Sequence, residues 1–201
     1  MKLYYSPGAC SLSPHIVARE AGIPVTLVRV DLRAKKVEDG SDYNDVNAKG
    51  YVPLLELDDG SRLSEGPAIV QYLADQAPQS GLAPANGTMA RYRLQEWLNF
   101  LATEVHKTFA PLFSPATPDA MKTLLKEKLG QRFGWLAAEL SGRDYLMGSS
   151  FTLPDAYLFT MMNWGGRVGV EINQPALKAY HARIAARPKV QEAMKAEGLL
   201  K

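Results

Sequence analysis

Cys10, the only cysteine of the chain, is the residue whose type and position point most directly to chemistry. It lies in the segment Pro7-Gly-Ala-Cys-Ser-Leu-Ser-Pro14, between a predicted strand and a predicted helix. The N–H groups and the dipole at a helix start favour a thiolate and lower a thiol's pKa below about 8.5. The alternative is a small buried core residue, a common environment for a free cysteine. The spacing Cys10-x-x-Ser13 resembles a redox turn without its second thiol, so any redox cycle needs a thiol from another molecule.

A helix start alone does not make Cys10 a useful thiolate. Lowering its pKa by about two units requires about 2.7 kcal/mol, whereas a helix dipole supplies about 0.3–1 kcal/mol and ~2 in favourable sites. We therefore expect a second hydrogen-bond donor. His106 is the candidate, because it lies with Asn99 and Thr103 on a mostly uncharged polar stripe of a predicted helix from Met89 to Phe113. Such a stripe is typical of a wall that faces a cleft or a partner, and the other two histidines are interpreted as structural.

The order of predicted elements changes near residue 80. The first part reads as a strand, a helix and a second strand, then a less certain stretch, a hairpin and a helix. Its predicted strands are Lys2–Tyr5, Val25–Val30, Val52–Leu57 and Arg62–Ser64, and its last helix runs from Pro67 to Ala77. The second part is all helical, with helices over Met89–Phe113, Pro118–Leu140, Leu153–Arg167, Pro175–Ala186 and Pro188–Ala196. This order predicts an α/β plus all-α protein, with a thioredoxin-like domain over residues 1–80, a linker over 81–88 and an all-helical domain over 89–201.

Composition excludes several classes of function. An apolar content of 46% is enough for a sizeable core. The 23 basic and 21 acidic residues leave a net charge of +2, which is too balanced for a nucleic-acid-binding surface. Neither a signal peptide nor a long uncharged apolar stretch is present, so we expect a cytoplasmic protein without a membrane segment.

The segment Ser64-Glu65-Gly66-Pro67 leads directly into a predicted helix and can bind a ligand that carries both charges. The N–H of Gly66 can meet a carboxylate at the helix N-terminus, and Glu65 can pair with an ammonium. The alternative for Glu65 is an ordinary acidic residue in a first helical turn. Lys35 can reach a second carboxylate, although a solvated lysine is the default interpretation.

Taken together, these residues resemble the beta-class glutathione transferases of bacteria over nearly the whole chain. The segments that carry the resemblance are Lys2–Ser13, Val46–Leu55, Leu63–Ile69, Glu96–Phe100, Thr103–Lys107 and Phe151–Tyr157. One departure is Gly66, because many members of the family have a serine there and use its hydroxyl.

The resemblance implies roles for particular residues. Cys10 and His106 would flank the glutathione sulfur, and Tyr5 is a rival because other classes use a tyrosine or serine in this region, although packing is the simpler role for it. The remaining glutathione contacts implied are Lys35 for the glycine carboxylate, Tyr51, Val52 and Pro53 for the cysteinyl unit, Glu65 and Gly66 for the γ-glutamyl end, and Asn99, Thr103 and Glu104. The resemblance also implies a homodimer in which Glu104 and Asn99 approach the glutathione of the opposite subunit. Pro53 is expected to be trans on statistics alone.

The predicted function is conjugation of the glutathione thiolate to small hydrophobic electrophiles, as in detoxification, with no metal. Trp164 and Phe109 are predicted to form the hydrophobic substrate site, with core packing as the alternative for Trp164. A second hypothesis is a thiol transferase, peroxidase or reductive dehalogenase that works through a mixed disulfide between Cys10 and glutathione. A third is a related module that binds without catalysis.

Overall fold

The computed structural model describes residues 1–201, which form two compact units. One consists of Met1–Ala83 together with Arg187–Lys201, and the other of Pro84–Ala186. The first holds the whole sheet and the second is helical, so the predicted fold class is confirmed. The predicted domain bounds stay a prediction.

The strands are β1 (Lys2–Tyr5), β2 (Thr26–Asp31), β3 (Lys36–Val37), β4 (Leu54–Glu56) and β5 (Arg62–Ser64). They form one sheet in the order β3-β2-β1-β4-β5. The central pair β1 and β2 is parallel, whereas the other neighbours are antiparallel. The loop after β1 and the segment before β4 therefore lie side by side, because adjacent antiparallel strands place these two ends together.

The helices are α1 (Leu12–Glu20), α2 (Tyr43–Val46), α3 (Gly66–Gln76), α4 (Met89–Phe100), α5 (Lys107–Phe109), α6 (Asp119–Glu139), α7 (Leu153–Met162), α8 (Gly165–Val168), α9 (Pro175–Ala185) and α10 (Pro188–Ala196). Short 3₁₀ turns cover Pro78–Ser80 and Ala110–Phe113. In the first unit, α1 is buried along most of its length and packs against both α3 and α10. No helix combines the length and the apolar composition that crossing a membrane requires.

The predicted single helix from Met89 to Phe113 is wrong in its middle. Residues Leu101–His106 form a π-helical segment between α4 and α5. A π-helix bonds residue i to i+5, so it shifts the faces of all residues that follow, and such segments are frequent at functional sites. Leu101 and Val105 remain buried, while Thr103, Glu104 and His106 all lie on this segment. The α-helical spacing that predicts one polar stripe of Asn99, Thr103 and His106 therefore does not hold across this segment.

Candidate functional site

The thiol of Cys10 lies two residues ahead of α1 and donates a hydrogen bond to the carbonyl oxygen of Val52 at 3.1 Å. Ser6 and Ser11 close the loop around it. The side-chain oxygen of Ser11 accepts a hydrogen bond from Ser6 N at 3.2 Å and donates one to Ser6 O at 3.3 Å. Cys10 therefore sits between the start of α1 and the segment before β4.

Burial raises the pKa of the Cys10 thiol to about 12, even though the residue keeps part of its surface open to solvent. The backbone N–H groups of Cys10 and Ser11 act in the opposite direction, and the negative charge of Glu65 raises the pKa further. The helix start thus works in the predicted direction but is outweighed by desolvation. The expectation that the helix start lowers the pKa of Cys10 is therefore wrong, and Cys10 is a protonated thiol at neutral pH.

The backbone of the segment Tyr51-Val52-Pro53 is held by hydrogen bonds from two side chains that were not predicted from the sequence. The Val52–Pro53 peptide bond is cis, contrary to the statistical expectation. The carbonyl of Tyr51 accepts hydrogen bonds from Asn47 Nδ2 at 2.8 Å and from the Tyr43 hydroxyl at 3.1 Å. Tyr43 in the short helix α2 and Asn47, which directly follows this helix, thereby fix the backbone next to Cys10. The helix is too short to show a periodic pattern in the sequence.

Glu65 immediately precedes α3 and has an unusual backbone conformation, with φ at +72°. Non-glycine residues at positive φ cost of order 1–3 kcal/mol and cluster at functional sites. Its exposed carboxylate accepts from Lys49 Nζ at 2.9 Å and from the Tyr51 hydroxyl at 3.0 Å. The adjacent Gly66 begins the helix, so a carboxylate acceptor and a helix N-terminus lie side by side, as predicted.

Lys35 and Tyr5 have environments of different kinds. Lys35 also has a positive φ, +56°, and its ammonium donates to the carbonyl of Gly50, next to Tyr51. Tyr5 is buried at the end of β1, and burial raises its pKa. A buried neutral tyrosine fits the packing role, whereas Lys35 is near the segment that holds Val52.

In the second unit, His106 lies among aromatic side chains. Its Nδ1 is 2.6 Å from the Tyr157 hydroxyl, and its ring centre is 5.1 Å from that of Trp164. Trp164 also contacts Phe109 and Phe113, at centroid distances of 5.6 and 5.7 Å. Phe109 has no exposed surface, while Phe113 is 47% exposed. Phe109 therefore supports this cluster from the core, and Phe113, which the sequence did not single out, is its accessible member.

Asn99 and Thr103 are exposed, and the Thr103 hydroxyl donates to the carbonyl of Asn99 at 3.0 Å. Glu104 instead reaches α6, where its carboxylate accepts from Arg132 at 2.6 Å and lies 3.3 Å from Lys128. The hydrogen bond from Arg132 lowers the pKa of Glu104, so this carboxylate is ionised at neutral pH. No group of three or more His, Cys, Asp or Glu side chains is placed to hold a metal ion.

The mixed sheet with a thiol ahead of α1 and the separate helical unit define a thioredoxin-like α/β part joined to an all-helical part. Residues 8–76 match the family model "Glutathione S-transferase, N-terminal domain", and residues 100–188 match "Glutathione S-transferase, C-terminal domain". The chain is 47% identical to glutathione S-transferase GstA of Escherichia coli O157:H7, covering 99% of this chain and 100% of that protein.

Two solved structures are similar over the full length of both chains. A sphingomonad glutathione S-transferase complexed with glutathione has a TM-score of 0.96 at 50% identity, and covers 100% of each chain. The bacterial beta-class glutathione S-transferase of Sphingomonas chungbukensis has a TM-score of 0.96 at 48% identity, again covering 100% of each chain. The chain therefore belongs to the glutathione S-transferase family, and the predicted beta class is confirmed.

Proposed function

We propose that the protein conjugates the thiolate of glutathione to small hydrophobic electrophiles, with the first unit binding the tripeptide. The observation that carries this proposal is the exposed carboxylate of Glu65 at the N-terminus of α3. A γ-glutamyl group carries an ammonium and a carboxylate on one carbon, and this site offers an anion beside a helix N-terminus. The full-length similarity to glutathione transferases supports the same substrate.

The other contacts proposed for glutathione follow from what each group can donate or accept. Gly66 N–H binds the γ-glutamyl carboxylate, Val52 bonds the cysteinyl backbone, and Lys35 binds the glycine carboxylate. The Tyr51 hydroxyl orients Glu65, since it donates to that carboxylate at 3.0 Å. Two charges and an extended peptide backbone are thereby fixed, and positioning of this kind supplies a large share of the rate in a two-substrate reaction.

Sulfur activation requires hydrogen-bond donors, and Cys10 is one as a neutral thiol rather than as a thiolate. With a pKa of about 12 it keeps its proton at neutral pH and donates to Val52 O. We assign it the same role toward the glutathione thiolate, with His106 as the second donor. When the Tyr157 hydroxyl donates to Nδ1, a neutral ring carries its proton on Nε2, which is the nitrogen that donates.

The mixed-disulfide alternative is not favoured. It requires Cys10 to act as a nucleophile, and only the thiolate is nucleophilic. Burial keeps the thiol protonated, and two relatives matched over 99% of this chain are named glutathione S-transferases. Conjugation therefore accounts better for both the site and the similarity.

We further propose a cytoplasmic homodimer with a role in detoxification. Met89 and Tyr92 are 70% and 57% exposed on α4, and the helical spacing places them on the same face as Glu96 and Asn99. Large exposed apolar side chains on one helix are typical of a protein interface. Asn99, Thr103 and Glu104 are proposed to face the glutathione of the opposite subunit, and Trp164 with Phe113 to line the pocket for the electrophile, backed by Phe109.

The function is tested by mixing the protein with glutathione and a chromogenic aryl halide and measuring the conjugate by absorbance. We expect conjugation by the unmodified chain, and about a tenfold lower kcat for His106→Ala, because one hydrogen bond of about 1–1.5 kcal/mol to the sulfur is lost. For Cys10→Ala, we expect kcat for conjugation to stay within about tenfold of the unmodified chain, because it too loses one hydrogen bond to the sulfur. The variant should lose all alkylation by iodoacetamide, since it has no cysteine. Absence of conjugate with the unmodified chain would contradict the proposal, and loss of all activity in Cys10→Ala would contradict the donor role of Cys10.

A serine at position 66 is expected to strengthen glutathione binding. A Cβ at this position would meet nothing nearer than Pro53 Cγ at 4.0 Å, so the side chain fits without strain. Its hydroxyl adds one donor for the γ-glutamyl carboxylate, and we expect KM for glutathione to fall about three- to tenfold in Gly66→Ser, since a net hydrogen bond contributes about 1 ± 0.5 kcal/mol. The matched variant Gly66→Ala adds the carbon without the hydroxyl. An equal fall in both variants would show that the hydroxyl is not responsible.

A further inference from the structure

A buried carboxylate from the C-terminal segment reaches the loop that carries Cys10. Glu197 directly follows α10, and its side chain has no exposed surface. Its Oε2 accepts a hydrogen bond from the backbone N–H of Gly8 at 2.9 Å, and its Oε1 lies 2.9 Å from Nδ1 of His15. The last residues of the chain are therefore bonded to a point two residues ahead of the thiol.

Neither burial nor helix capping explains a glutamate at position 197. Fully buried carboxylates are rare unless they are paired, and the C-terminal end of a helix favours cations rather than anions. An alanine or a lysine after α10 would be the expected residue if this position only ended the helix. What accounts for a buried carboxylate here is the pair of groups that it binds, Gly8 N–H and the His15 ring.

The hydrogen bonds around His15 fix the direction in which the carboxylate points. Arg19 Nε donates to His15 Nε2 at 3.4 Å, so the neutral ring carries its proton on Nδ1. With the ring proton on Nδ1, this nitrogen is the donor and Glu197 Oε1 the acceptor of the bond at 2.9 Å. A continuous series of bonds runs from α1 through His15 to Glu197 and on to Gly8.

The loop that receives this bond depends on contacts outside itself for its position. Gly8 has φ at +69°, a conformation that glycine adopts readily, and Ala9 N donates to Ser6 O at 3.0 Å within the loop. Such internal bonds shape the turn but do not fix it against the rest of the unit. The bond from Gly8 to Glu197 joins it to α1 and the C-terminal segment, and the negative charge of Glu197 also adds to the raised pKa of Tyr5, just before the loop.

We propose that Glu197 is a positioning residue for the glutathione site, which holds the segment Gly8–Cys10 so that the thiol of Cys10 faces Val52. Its link to catalysis rests on the proposed function, because the thiol faces glutathione only if glutathione is the substrate. The holding of the loop itself is measurable without glutathione. It predicts that the reactivity of Cys10 depends on a residue 187 positions away in the chain, the separation between positions 10 and 197.

The matched control is Glu20, which joins the same C-terminal segment to α1 without touching the loop. Its carboxylate accepts from Arg187 Nε at 2.7 Å and from Arg187 Nη2 at 2.8 Å. Glu20→Gln therefore weakens the attachment of the segment, whereas Glu197→Ala also releases the loop. Glu197→Gln keeps one oxygen acceptor and serves as the conservative variant.

The experiment measures the rate at which iodoacetamide alkylates the sole cysteine of the full chain in native buffer at neutral pH. We expect Glu197→Ala to react about tenfold faster, which corresponds to about 1.4 kcal/mol, because the released loop exposes the thiol. Glu197→Gln should fall between Glu197→Ala and the unmodified chain. Glu20→Gln should react at the unmodified rate while melting at a lower temperature. In the conjugation assay, Glu197→Ala should raise KM for glutathione more than it lowers kcat.

Two results would overturn the proposal. One is an alkylation rate of Glu197→Ala within about twofold of the unmodified chain, the scatter expected of uncoupled sites. The other is equal acceleration in Glu20→Gln, which would indicate general loosening. If Glu197→Ala does not fold, the comparison of Glu197→Gln with Glu20→Gln decides between the same outcomes. Failure of the unmodified chain to conjugate glutathione would remove the proposed function, while the alkylation comparison would still stand.

Discussion

Replacing Glu65 by glutamine is expected to lower kcat/KM for glutathione by about 10²-fold, because a charge-assisted hydrogen bond to the ligand's ammonium contributes about 1.5–3 kcal/mol and the ammonium is left unpaired. The change keeps the size of the side chain, and it also removes the charge that Lys49 and the Tyr51 hydroxyl bind at 2.9 and 3.0 Å. Steady-state kinetics with varied glutathione at a fixed aryl halide measures the effect. It should fall mainly on KM, since Glu65 binds a part of the substrate remote from the sulfur.

The positive φ of Glu65 provides an unusual control for this effect. Glycine adopts φ near +72° without strain, so Glu65→Gly should raise the melting temperature or leave it unchanged. The same variant lacks the carboxylate and should bind glutathione as poorly as Glu65→Gln. A stable Glu65→Gly protein with full affinity for glutathione would contradict the role of Glu65, because it would leave the strained glutamate without a function.

Much of the first unit could be predicted from local sequence signals. The strand Lys2–Tyr5 and the hairpin strand Arg62–Ser64 begin and end where they were predicted, because strong turn residues bound them. These are Pro7-Gly8 after the first strand, and Asp59-Gly60 before and Gly66-Pro67 after the second. The last helix, Pro188–Ala196, is likewise as predicted, since Pro188 begins it. The strand Lys36–Val37 and the helix Tyr43–Val46 were missed, because two and four residues are too few to show a period.

The environment of the site residues could not be predicted, since it depends on contacts that are distant in sequence. A helix start predicts a lowered thiol pKa for Cys10, yet the surrounding side chains desolvate it and raise the pKa to about 12. Likewise, nothing near Gly8 in the sequence indicates that Glu197 accepts its N–H. The π-helical segment Leu101–His106 changes the faces of Thr103 and His106, and its local composition does not distinguish it from an α-helix.

The segment Thr152-Leu-Pro-Asp155 was interpreted as a structural capping box, and the structure confirms it at the start of α7. Asp155 does more than cap this helix, because it is completely buried and accepts four hydrogen bonds. The donors are the Leu146 and Thr152 backbone N–H groups, the Thr152 hydroxyl and the Tyr180 hydroxyl, at 2.8–2.9 Å. One carboxylate therefore joins the start of α7 to α9 and to the chain that precedes α7.

Asp155→Ala is expected to destabilise the protein by about 5 kcal/mol, since it leaves several buried donors unsatisfied at about 1–3 kcal/mol each. Such a loss is a large part of an ordinary free energy of unfolding, about 5–15 kcal/mol, so the variant should be mostly insoluble or unfold at much lower urea. Urea unfolding followed by fluorescence measures the change. Tyr180→Phe, which removes one donor and leaves the carboxylate with three, should cost only about 1–1.5 kcal/mol. Equal losses in the two variants would mean that the Tyr180 bond alone accounts for the effect, and the shared role of Asp155 would be wrong.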